Sequence, residues 1–168
     1  MDEEEVHAAV AARRLGAVPS SKVAAITHEG WGSAGRPIAR RVTWDELDAM
    51  SDTVAAQLIE LLMAQGPQHT ISFSLRSKPR VALLAGNSGE WLAAALGVSK
   101  VKAVLVPLNT RWSPPEVAAV LADSGATVIL HDGAAQTLLD EALRCLASSS
   151  SSGGSISSGS SISSGSAF

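Results

Sequence analysis

Several features that often identify a protein class are scarce in this sequence. Its 168 residues include a single cysteine, Cys145, no tyrosine, four tryptophans and two phenylalanines. One cysteine excludes an internal disulfide and a cysteine-based metal site, and it makes a reducing compartment the default expectation. No stretch approaches the roughly 18 apolar residues that span a bilayer. The sequence therefore indicates neither a disulfide-rich secreted fold nor a membrane span.

An excess of one charge is also lacking. Thirteen basic and 16 acidic residues give a net charge of −3, and the basic residues are scattered. This offers no electrostatic case for nucleic-acid binding. The acidic opening, MDEEEVHAAVAARR, fits neither a signal peptide nor an arginine-rich transit peptide, so we expect a cytoplasmic protein. The four histidines share no metal-ligand spacing, and we expect no metal site. They are His7, His28, His69 and His131.

The composition changes at Ser148. Residues 148–168 contain no charge and thirteen serines, and SISSGS occurs twice in tandem. Such a segment buries too little apolar surface to offset its ordering entropy, so we predict disorder. It is not a phosphate loop, because it has no Gly-Lys-Ser/Thr ending. The sequence thus predicts a folded unit over 1–147 and a low-complexity tail over 148–168.

The first half of the folded unit predicts helices and a hairpin. Thr43 and Glu46 form a capping box, and apolar residues every three or four positions then carry a helix to about Ala64. The other predicted segments are a helix over Glu3–Arg14, hairpin strands over Lys22–Gly30 and Arg36–Val42, and a loop over Gly66–Lys78.

The second half repeats one unit. Continuous apolar runs of strand length lie at Arg80–Ala85, Ala103–Pro107 and Thr127–Asp132, with helical patterns between and after them. Repeated βαβ units predict a parallel sheet, and strands without polar alternation indicate that both sheet faces are covered. The predicted fold class is therefore α/β, a three-layer parallel βαβαβ sheet with flanking helices and an N-terminal hairpin.

The helices of this unit carry start signals and apolar faces. Asn87 with Glu90, and Ser113 with Glu116, have capping-box spacing, and Pro114 suits the first helical position. The expected core-facing residues are Trp91, Leu92, Ala95, Leu96 and Ser99 on the first helix, Val117, Val120 and Leu121 on the second, and Leu138, Leu139, Ala142 and Leu146 on the last.

Ligands of open parallel sheets bind beyond the carboxyl ends of the strands. The first turn there, GNSGE over Gly86–Glu90, lacks the glycine that a nucleophile elbow needs two residues after its serine. The turn also lacks the G-x-G-x-x-G pattern of a dinucleotide site. We therefore interpret Asn87 and Ser88 as helix caps, and Asp132 as the cap of the helix from Gly133.

The turn LNTRW holds the candidate binding residue. Arg111 follows what we take to be a central strand and directly precedes a helix N-terminus, where free N–H groups and a guanidinium favour a phosphate. The alternative is a solvated arginine whose aliphatic stem packs on Trp112. The residue pattern alone leaves both interpretations open.

Three stretches taken together resemble a known family. VTWDELDAMSDTVAAQL, RVALLAGNSGEWLAAALGVSKVKAV and VPLNTRWSPPEVAAVLADSGATVIL, in this order and spacing, resemble the N-terminal part of adenylate-forming (AMP-dependent) acyl-CoA synthetases. The resemblance runs from about Val23 to Asp132, and PLNTRWS is most similar to o-succinylbenzoate and other aryl or medium-chain acid–CoA ligases. It implies a large N-terminal domain of several subdomains and a small mobile C-terminal domain.

The resemblance implies a ligase reaction. Enzymes of this family activate a carboxylic acid with Mg-ATP to an acyl-adenylate and then transfer the acyl group to CoA. ATP, Mg and CoA are thus implied for a full-length member, with a small carboxylic acid as substrate. The arginine of the family's PLN-x-R turn lies near the phosphates of the CoA nucleotide, and Arg111 is the matching residue, which favours a CoA contact there.

The family's catalytic motifs have no counterpart in these 168 residues. The phosphate loop ending in Pro-Lys, the adenine motif, the ribose-binding aspartate and the C-terminal lysine all lie further along a family member. Without cations to neutralise a triphosphate, adenylation lacks electrostatic support. We therefore assign no catalytic residue and expect the chain alone to be inactive. The alternative is a non-catalytic binding module that keeps the fold.

The sequence departs from the family pattern at three places, one of which is Gly86 where a proline is common. Lys102 stands where the family usually has a glycine suited to a left-handed helix end, at a cost of about 1 kcal/mol. The segment over 66–78 is longer than the usual link. Together with the serine-rich tail, this insertion leads to the hypothesis of a truncated or mis-spliced product.

Overall fold

The fold is known from a computed structural model that describes residues 21–31, 33, 35–64, 78–151 and 163–166. The predicted helix over Glu3–Arg14 and nearly all of the loop over Gly66–Lys78 lie outside these residues. The strands are β1 (Val23–Trp31), β2 (Pro37–Thr43), β3 (Arg80–Leu84), β4 (Val104–Pro107), β5 (Val128–His131) and β6 (Ser163–Ser166). The helices are α1 (Trp44–Ala64), α2 (Gly89–Lys100), α3 (Pro114–Ser124) and α4 (Gln136–Ser151), and a 3₁₀ turn covers Gly133–Ala135.

The main sheet is parallel, in the order β4-β3-β5-β6. Val81 pairs with Leu105 of β4 on one side and with Val128 of β5 on the other. The predicted α/β class and the parallel βαβαβ arrangement are confirmed. One detail is wrong: β4, the strand before Arg111, is the outermost strand of the described sheet and not a central one.

Alternate residues of the strands build two separate cores. Val81 and Leu83 face a core shared with α1 and α2, whereas Ala82 and Leu84 face a core shared with α3 and α4. This is the period-2 alternation of a sheet that is covered on both faces. Strands β3 and β5 are buried almost throughout, as predicted, but β4 is only half-buried and ends in exposed Pro107. In the described sheet β4 pairs with β3 only, so its other edge has no neighbouring strand to cover it.

The predicted N-terminal hairpin is confirmed. β1 and β2 pair antiparallel, with Ile26 opposite Arg41. Val42 and Leu47 pack with Ala93 and Leu96 in a third small core, so the hairpin contacts the outer side of α2. An ion pair between Arg40 Nη1 and Glu90 Oε1, 2.8 Å apart, links β2 to the first turn of α2.

Helices α1 and α2 cross at short distance. A Cβ atom placed on Gly97 would lie 2.7 Å from Val54 Cγ1, so only glycine fits there. One turn further on, Lys100 Nζ lies 2.6 Å from a carboxylate oxygen of each of Asp48 and Asp52. The two helices therefore meet through a close backbone approach and a charged cluster.

The predicted inward residues of α2 do pack in the core: Leu96 and Ser99 are buried, and Trp91, Leu92 and Ala95 are partly buried, but the prediction left out the most deeply buried side of the helix. Ala93, Ala94 and Val98 are fully buried, whereas Trp91 and Leu92 are half-buried. The helix packs against the sheet, α1 and the hairpin at once, so small residues occupy its most crowded side. The predicted inward residues of α3 and α4 do pack in the core: Val117, Leu121, Leu139 and Ala142 are buried, and Val120, Leu138 and Leu146 are partly buried.

Local signals set most helix starts. The box of Thr43 and Glu46 is formed, with Thr43 N–H donating to Glu46 Oε2 at 2.8 Å and Glu46 N–H donating to Thr43 Oγ1 at 3.2 Å. For α2, however, the cap is Ser88 rather than Asn87, and its Oγ accepts the Trp91 N–H at 3.1 Å. The correction is a shift of one residue, because Asn and Ser are about equally good caps.

The predicted left-handed residue after α2 is confirmed. Lys102 has φ 58°, and the N–H groups of Lys102 and Ala103 donate to the carbonyl oxygens of Ser99 and Val98. These two bonds make a Schellman motif, in which glycine is the preferred residue.

The described structure continues beyond the expected boundary at residue 147. Helix α4 extends to Ser151, and Ser163–Ser166 forms β6 alongside β5. The remainder of 148–168 lies outside the described residues, so the domain boundary and the disorder of the tail stay predictions. Of the helices in the described ranges, none combines the length and the apolar composition that crossing a bilayer needs.

Candidate binding cleft at the sheet edge

An open cleft of about 650 Å³ lies at the carboxyl ends of β3 and β4. After β3 the chain turns towards the α2 layer, and after β4 it turns towards the α3 layer, which opens a crevice between the two turns. The sequence predicts a ligand site at this edge. The lining residues are Ala85, Gly86, Asn87, Trp91, Pro107, Leu108, Asn109, Thr110, Arg111 and Trp112.

The turn after β4 is held by its own backbone and by Asn109. The Leu108 N–H donates to the Leu83 carbonyl at 2.9 Å, which fixes the turn to β3. Asn109 Oδ1 accepts the Arg111 N–H at 2.9 Å, and the Asn109 carbonyl accepts the Trp112 N–H at 3.1 Å. An asparagine that bonds the backbone two residues later is a standard turn device. Arg111 is therefore presented on a fixed backbone.

Arg111 is exposed and is the only charged side chain among the described residues that line the cleft. No described carboxylate lies within ion-pair distance of its guanidinium. Its neighbour Trp112 is half-buried and packs against the core of α3 and α4. The structure thus places Arg111 at the sheet edge, as predicted, although the contact with CoA that we assign to it stays a prediction.

The expected helix contribution to an anion site is wrong. Pro114 and Pro115 occupy the first two positions of α3 and have no N–H. The Ser113 N–H donates to Glu116 Oε2 at 2.8 Å, and the Glu116 N–H donates to the Ser113 carbonyl at 3.0 Å. These N–H groups are therefore absent or already bonded, and an anion at this corner depends on Arg111 itself.

Asp132 fixes the other wall of the cleft. Its Oδ1 accepts the Ala135 N–H at 2.8 Å, which confirms the predicted helix cap. Its Oδ2 accepts the Gly86 N–H at 2.8 Å, a bond between the turns after β5 and β3 that sequence reasoning missed. Only the three-dimensional sheet order brings these two turns together.

The serine of GNSGE acts as a cap. The Ser88 side chain accepts the Trp91 N–H, while buried His131 has its Nδ1 3.0 Å from the Asp132 carbonyl oxygen. The pKa of Glu90 is lowered, chiefly by the bond from its own backbone N–H and further by Ser88 and the charge of Arg40. Ser88, Glu90 and Arg40 thus stabilise the start of α2.

Sequence reasoning also missed that two tryptophans line the cleft. Trp91 was expected in the core and Trp112 only as support for Arg111, yet both border the open space. Their positions, in the first turn of a helix after β3 and in the turn after β4, were the available signal. Among the described residues, no three His, Cys, Asp or Glu side chains come close enough together to hold a metal ion.

Comparison with known proteins identifies the family of this chain. The family model for AMP-binding enzymes matches residues 17–164. The long-chain-fatty-acid–CoA ligase FadD13 of Mycobacterium tuberculosis is 35% identical over 100 residues, which are 60% of this chain and 18% of that protein. The feruloyl-CoA synthase of an Amycolatopsis species is 42% identical over 57 residues, which are 34% of this chain and 12% of that protein. The chain thus spans less than a fifth of the length of either relative.

Solved structures share the fold. The anthranilate–CoA ligase AuaEII, in complex with anthranoyl-AMP, aligns with TM-score 0.52 and 25% identity over 64% of this chain and 18% of its own. An acyl-CoA synthetase of Brucella canis aligns with TM-score 0.58 and 23% identity, and the alignment covers 76% of this chain and 20% of that protein. The finer similarity to o-succinylbenzoate ligases stays a prediction. The chain belongs to the AMP-binding enzyme family and corresponds to the N-terminal part of an adenylate-forming acyl-CoA ligase.

Proposed function

We propose that this chain is part of an ATP-dependent carboxylic acid–CoA ligase, which forms an acyl-adenylate and then an acyl-CoA, and that its cleft contacts the nucleotide phosphates of CoA through Arg111. The observation that carries the proposal is an exposed guanidinium on a fixed turn at the carboxyl ends of two parallel strands, without a described carboxylate partner. A guanidinium can bind a phosphate through two parallel hydrogen bonds.

The cleft suits a phosphate group better than a metal-bound triphosphate. Arg111 is one positive charge, and the described lining residues add neither a lysine nor a carboxylate that could hold Mg. Adenylation develops charge on several phosphate oxygens, which needs several preorganised cations. We therefore propose that the 168-residue chain alone does not catalyse adenylation.

Exposed apolar side chains favour the interpretation that the chain is part of a larger ligase rather than a self-sufficient binding module. Met63 is 76% exposed and Ile26 is 64% exposed, and Ile59 lies one helical turn before Met63 on α1. Single exposed hydrophobics such as Ile26 are common, but the neighbouring pair Ile59 and Met63 on one face of α1 suits a surface that other parts of a protein cover. A stand-alone module would be expected to carry polar residues at these positions.

The Arg111 contact is tested by titrating CoA into the chain in a calorimeter. Removing a charge-assisted phosphate contact costs roughly 1.5–3 kcal/mol, so Arg111→Ala should bind at least about tenfold more weakly. Arg111→Lys should be intermediate, because the charge remains without the fork geometry. Arg144→Ala, an exposed arginine of α4, is the matched control. Equal affinity of Arg111→Ala and wild type would remove the site.

The proposed inactivity is tested by pyrophosphate release. The chain is incubated with Mg-ATP, CoA and a panel of aliphatic and aromatic acids, and we expect no release above the enzyme-free rate. Sustained turnover by these 168 residues would overturn this part of the proposal and would leave the Arg111 contact to be judged by the titration.

A further inference from the structure

The two tryptophans of the cleft come from opposite sides of the sheet. Trp91, in the first turn of α2, packs against the core that α1 and α2 share. Trp112, just before α3, packs against the core that α3 and α4 share. Both are half-buried and both line the cleft between the ends of β3 and β4. The crevice therefore has one indole on each helix layer.

Each indole has one part in contact with the core and another part available to the cleft. Neither side chain has a hydrogen-bond partner among the described residues, and neither indole nitrogen belongs to the buried polar atoms that lack one. Packing against a core fixes a large ring at low entropic cost, so the part of each indole that lines the cleft is held in place for contact with a ligand. Surface tryptophans without such support would be mobile.

The cleft thus combines two aromatic side chains with a single cation. Arg111 directly precedes Trp112, and polar Asn87 and Asn109 complete the rim. A volume of about 650 Å³ is within the range of small-molecule sites. Aromatic faces stack on nucleobases, and a guanidinium binds the phosphate that a nucleotide carries.

We propose that Trp91 and Trp112 bind the adenine ring of the CoA nucleotide and so make this cleft select a phosphorylated adenosine over a phosphate without a base. This inference rests on the proposed function, because Arg111 holds the phosphate end of the same ligand. It assigns to the tryptophans a specificity that the arginine alone cannot provide.

The experiment compares two ligands that share a phosphate and differ in the base. Adenosine 3′,5′-bisphosphate and ribose 5-phosphate are titrated into the chain and into Trp91→Leu and Trp112→Leu, which keep the apolar packing and lose the indole. Stacking on an aromatic is worth roughly 1–3 kcal/mol per base, so each leucine variant should bind the bisphosphate about fivefold more weakly or worse. Binding of ribose 5-phosphate should stay unchanged.

Two further variants separate stacking from structure. Trp91→Phe and Trp112→Phe keep a ring and should bind the bisphosphate within about threefold of wild type. Trp44→Leu, in the separate core beside the hairpin, is the matched control and should bind like wild type. If a leucine variant does not fold, acrylamide quenching of the wild-type tryptophans replaces it, with protection expected from the bisphosphate and none from ribose 5-phosphate.

The possible contrary results distinguish failure of the tryptophan inference from failure of the proposed Arg111 contact. Leucine variants that bind the bisphosphate like wild type, equal losses for both ligands, or quenching without protection would end the tryptophan inference. If Arg111→Ala still weakens both ligands in that case, the proposed phosphate contact stands alone. If Arg111→Ala leaves CoA binding unchanged, the proposed function of the cleft fails irrespective of the tryptophans.

Discussion

The two crossover helices of the sheet, α2 and α3, obtain their boundaries in different ways. Helix α3 begins with a serine, two prolines and a glutamate and ends at Gly125, with φ 62°. Helix α2 is capped by Ser88 and is followed by Lys102, which has a similar φ of 58° but is not a glycine. The same backbone geometry is thus reached once with the preferred residue and once against its preference.

This difference shows where the information for each helix resides. The residues at the two ends of α3 determine where that helix starts and stops, whereas contacts with neighbouring elements also stabilise α2. Gly97 approaches Val54 of α1, Lys100 bonds two aspartates of that helix, and Ala93 packs beneath the hairpin. Tertiary contacts of this kind can hold a residue such as Lys102 in an unfavourable conformation.

The largest loss of stability is expected from a substitution that disrupts the contact between α1 and α2. Gly97→Ala adds a methyl group only 2.7 Å from Val54 Cγ1, so α1 and α2 must separate, and we expect a loss of about 1–3 kcal/mol in the free energy of unfolding. Urea denaturation measures it.

Helix propensity alone predicts the opposite sign for this change. Alanine is favoured over glycine by about 1 kcal/mol in a helix interior. Ala119→Gly on the exposed side of α3 should cost about that amount and calibrates the propensity contribution. A stabilised Gly97→Ala would contradict the close helix contact.

Substitutions at the left-handed residues after α2 and α3 should have a smaller effect on stability. Lys102→Gly relieves a left-handed lysine and should raise the free energy of unfolding by about 1 kcal/mol, whereas Gly125→Ala should lower it by about 1 kcal/mol. The space around Gly125 is open, so the second change acts through the backbone alone. Thermal and urea unfolding of the two variants give opposite shifts.

Lys102→Ala is the control for the lysine side chain. It keeps the left-handed strain and removes only the chain beyond Cβ, so its stability should stay closer to wild type than that of Lys102→Gly. Equal stabilisation by alanine and glycine would mean that the side chain, not the backbone, is unfavourable at this position.

The smallest effect is the pH dependence of the helix starts. The pKa of Glu116 is lowered by the Ser113 hydroxyl and backbone N–H, and that of Glu90 by its own N–H, Ser88 and Arg40. A lowered carboxyl pKa stabilises the fold above the ordinary value of about 4.3, and the stabilisation is lost as pH falls through the folded-state pKa. Glu116→Gln and Glu90→Gln should therefore be less stable than wild type near neutral pH, and the difference should shrink as the pH falls through the lowered folded-state pKa of each carboxyl.

Salt separates the two glutamates. The Glu90 contribution includes an ion pair with Arg40 and should weaken at high ionic strength, whereas the Glu116 hydrogen bonds to Ser113 should persist. If the stabilities of the two glutamine variants depended equally on salt, the distinction would be wrong: the start of α2 would not rely on the hairpin ion pair more than the start of α3 does.

The sequence predicted those parts of the fold that depend on local patterns. The apolar runs at β3 and β5, the capping boxes at Thr43 and Ser113, and the hairpin are periodic or short-range signals, and all appear as expected. The left-handed Lys102 was predictable because a family glycine marks that backbone position.

The parts that failed depend on which elements become neighbours. The edge position of β4 and the Asp132 bond to Gly86 follow from strand order, which no single turn encodes. The shift of the cap from Asn87 to Ser88 is a separate, local case, because two equally suitable residues lie side by side. For the cleft, the sequence predicted its edge and Arg111, but the pairing of Trp91 with Trp112 needed the two helix layers in place.

The central claim is that CoA binds at the turns after β3 and β4. The most direct test is to follow the backbone amide resonances of the isotope-labelled chain while CoA is added. We predict that Gly86, Asn87, Asn109, Arg111 and Trp112 shift together, and that Arg111→Ala reduces these shifts. Unchanged resonances at these turns, or shifts confined to the hairpin or α4, would contradict the account.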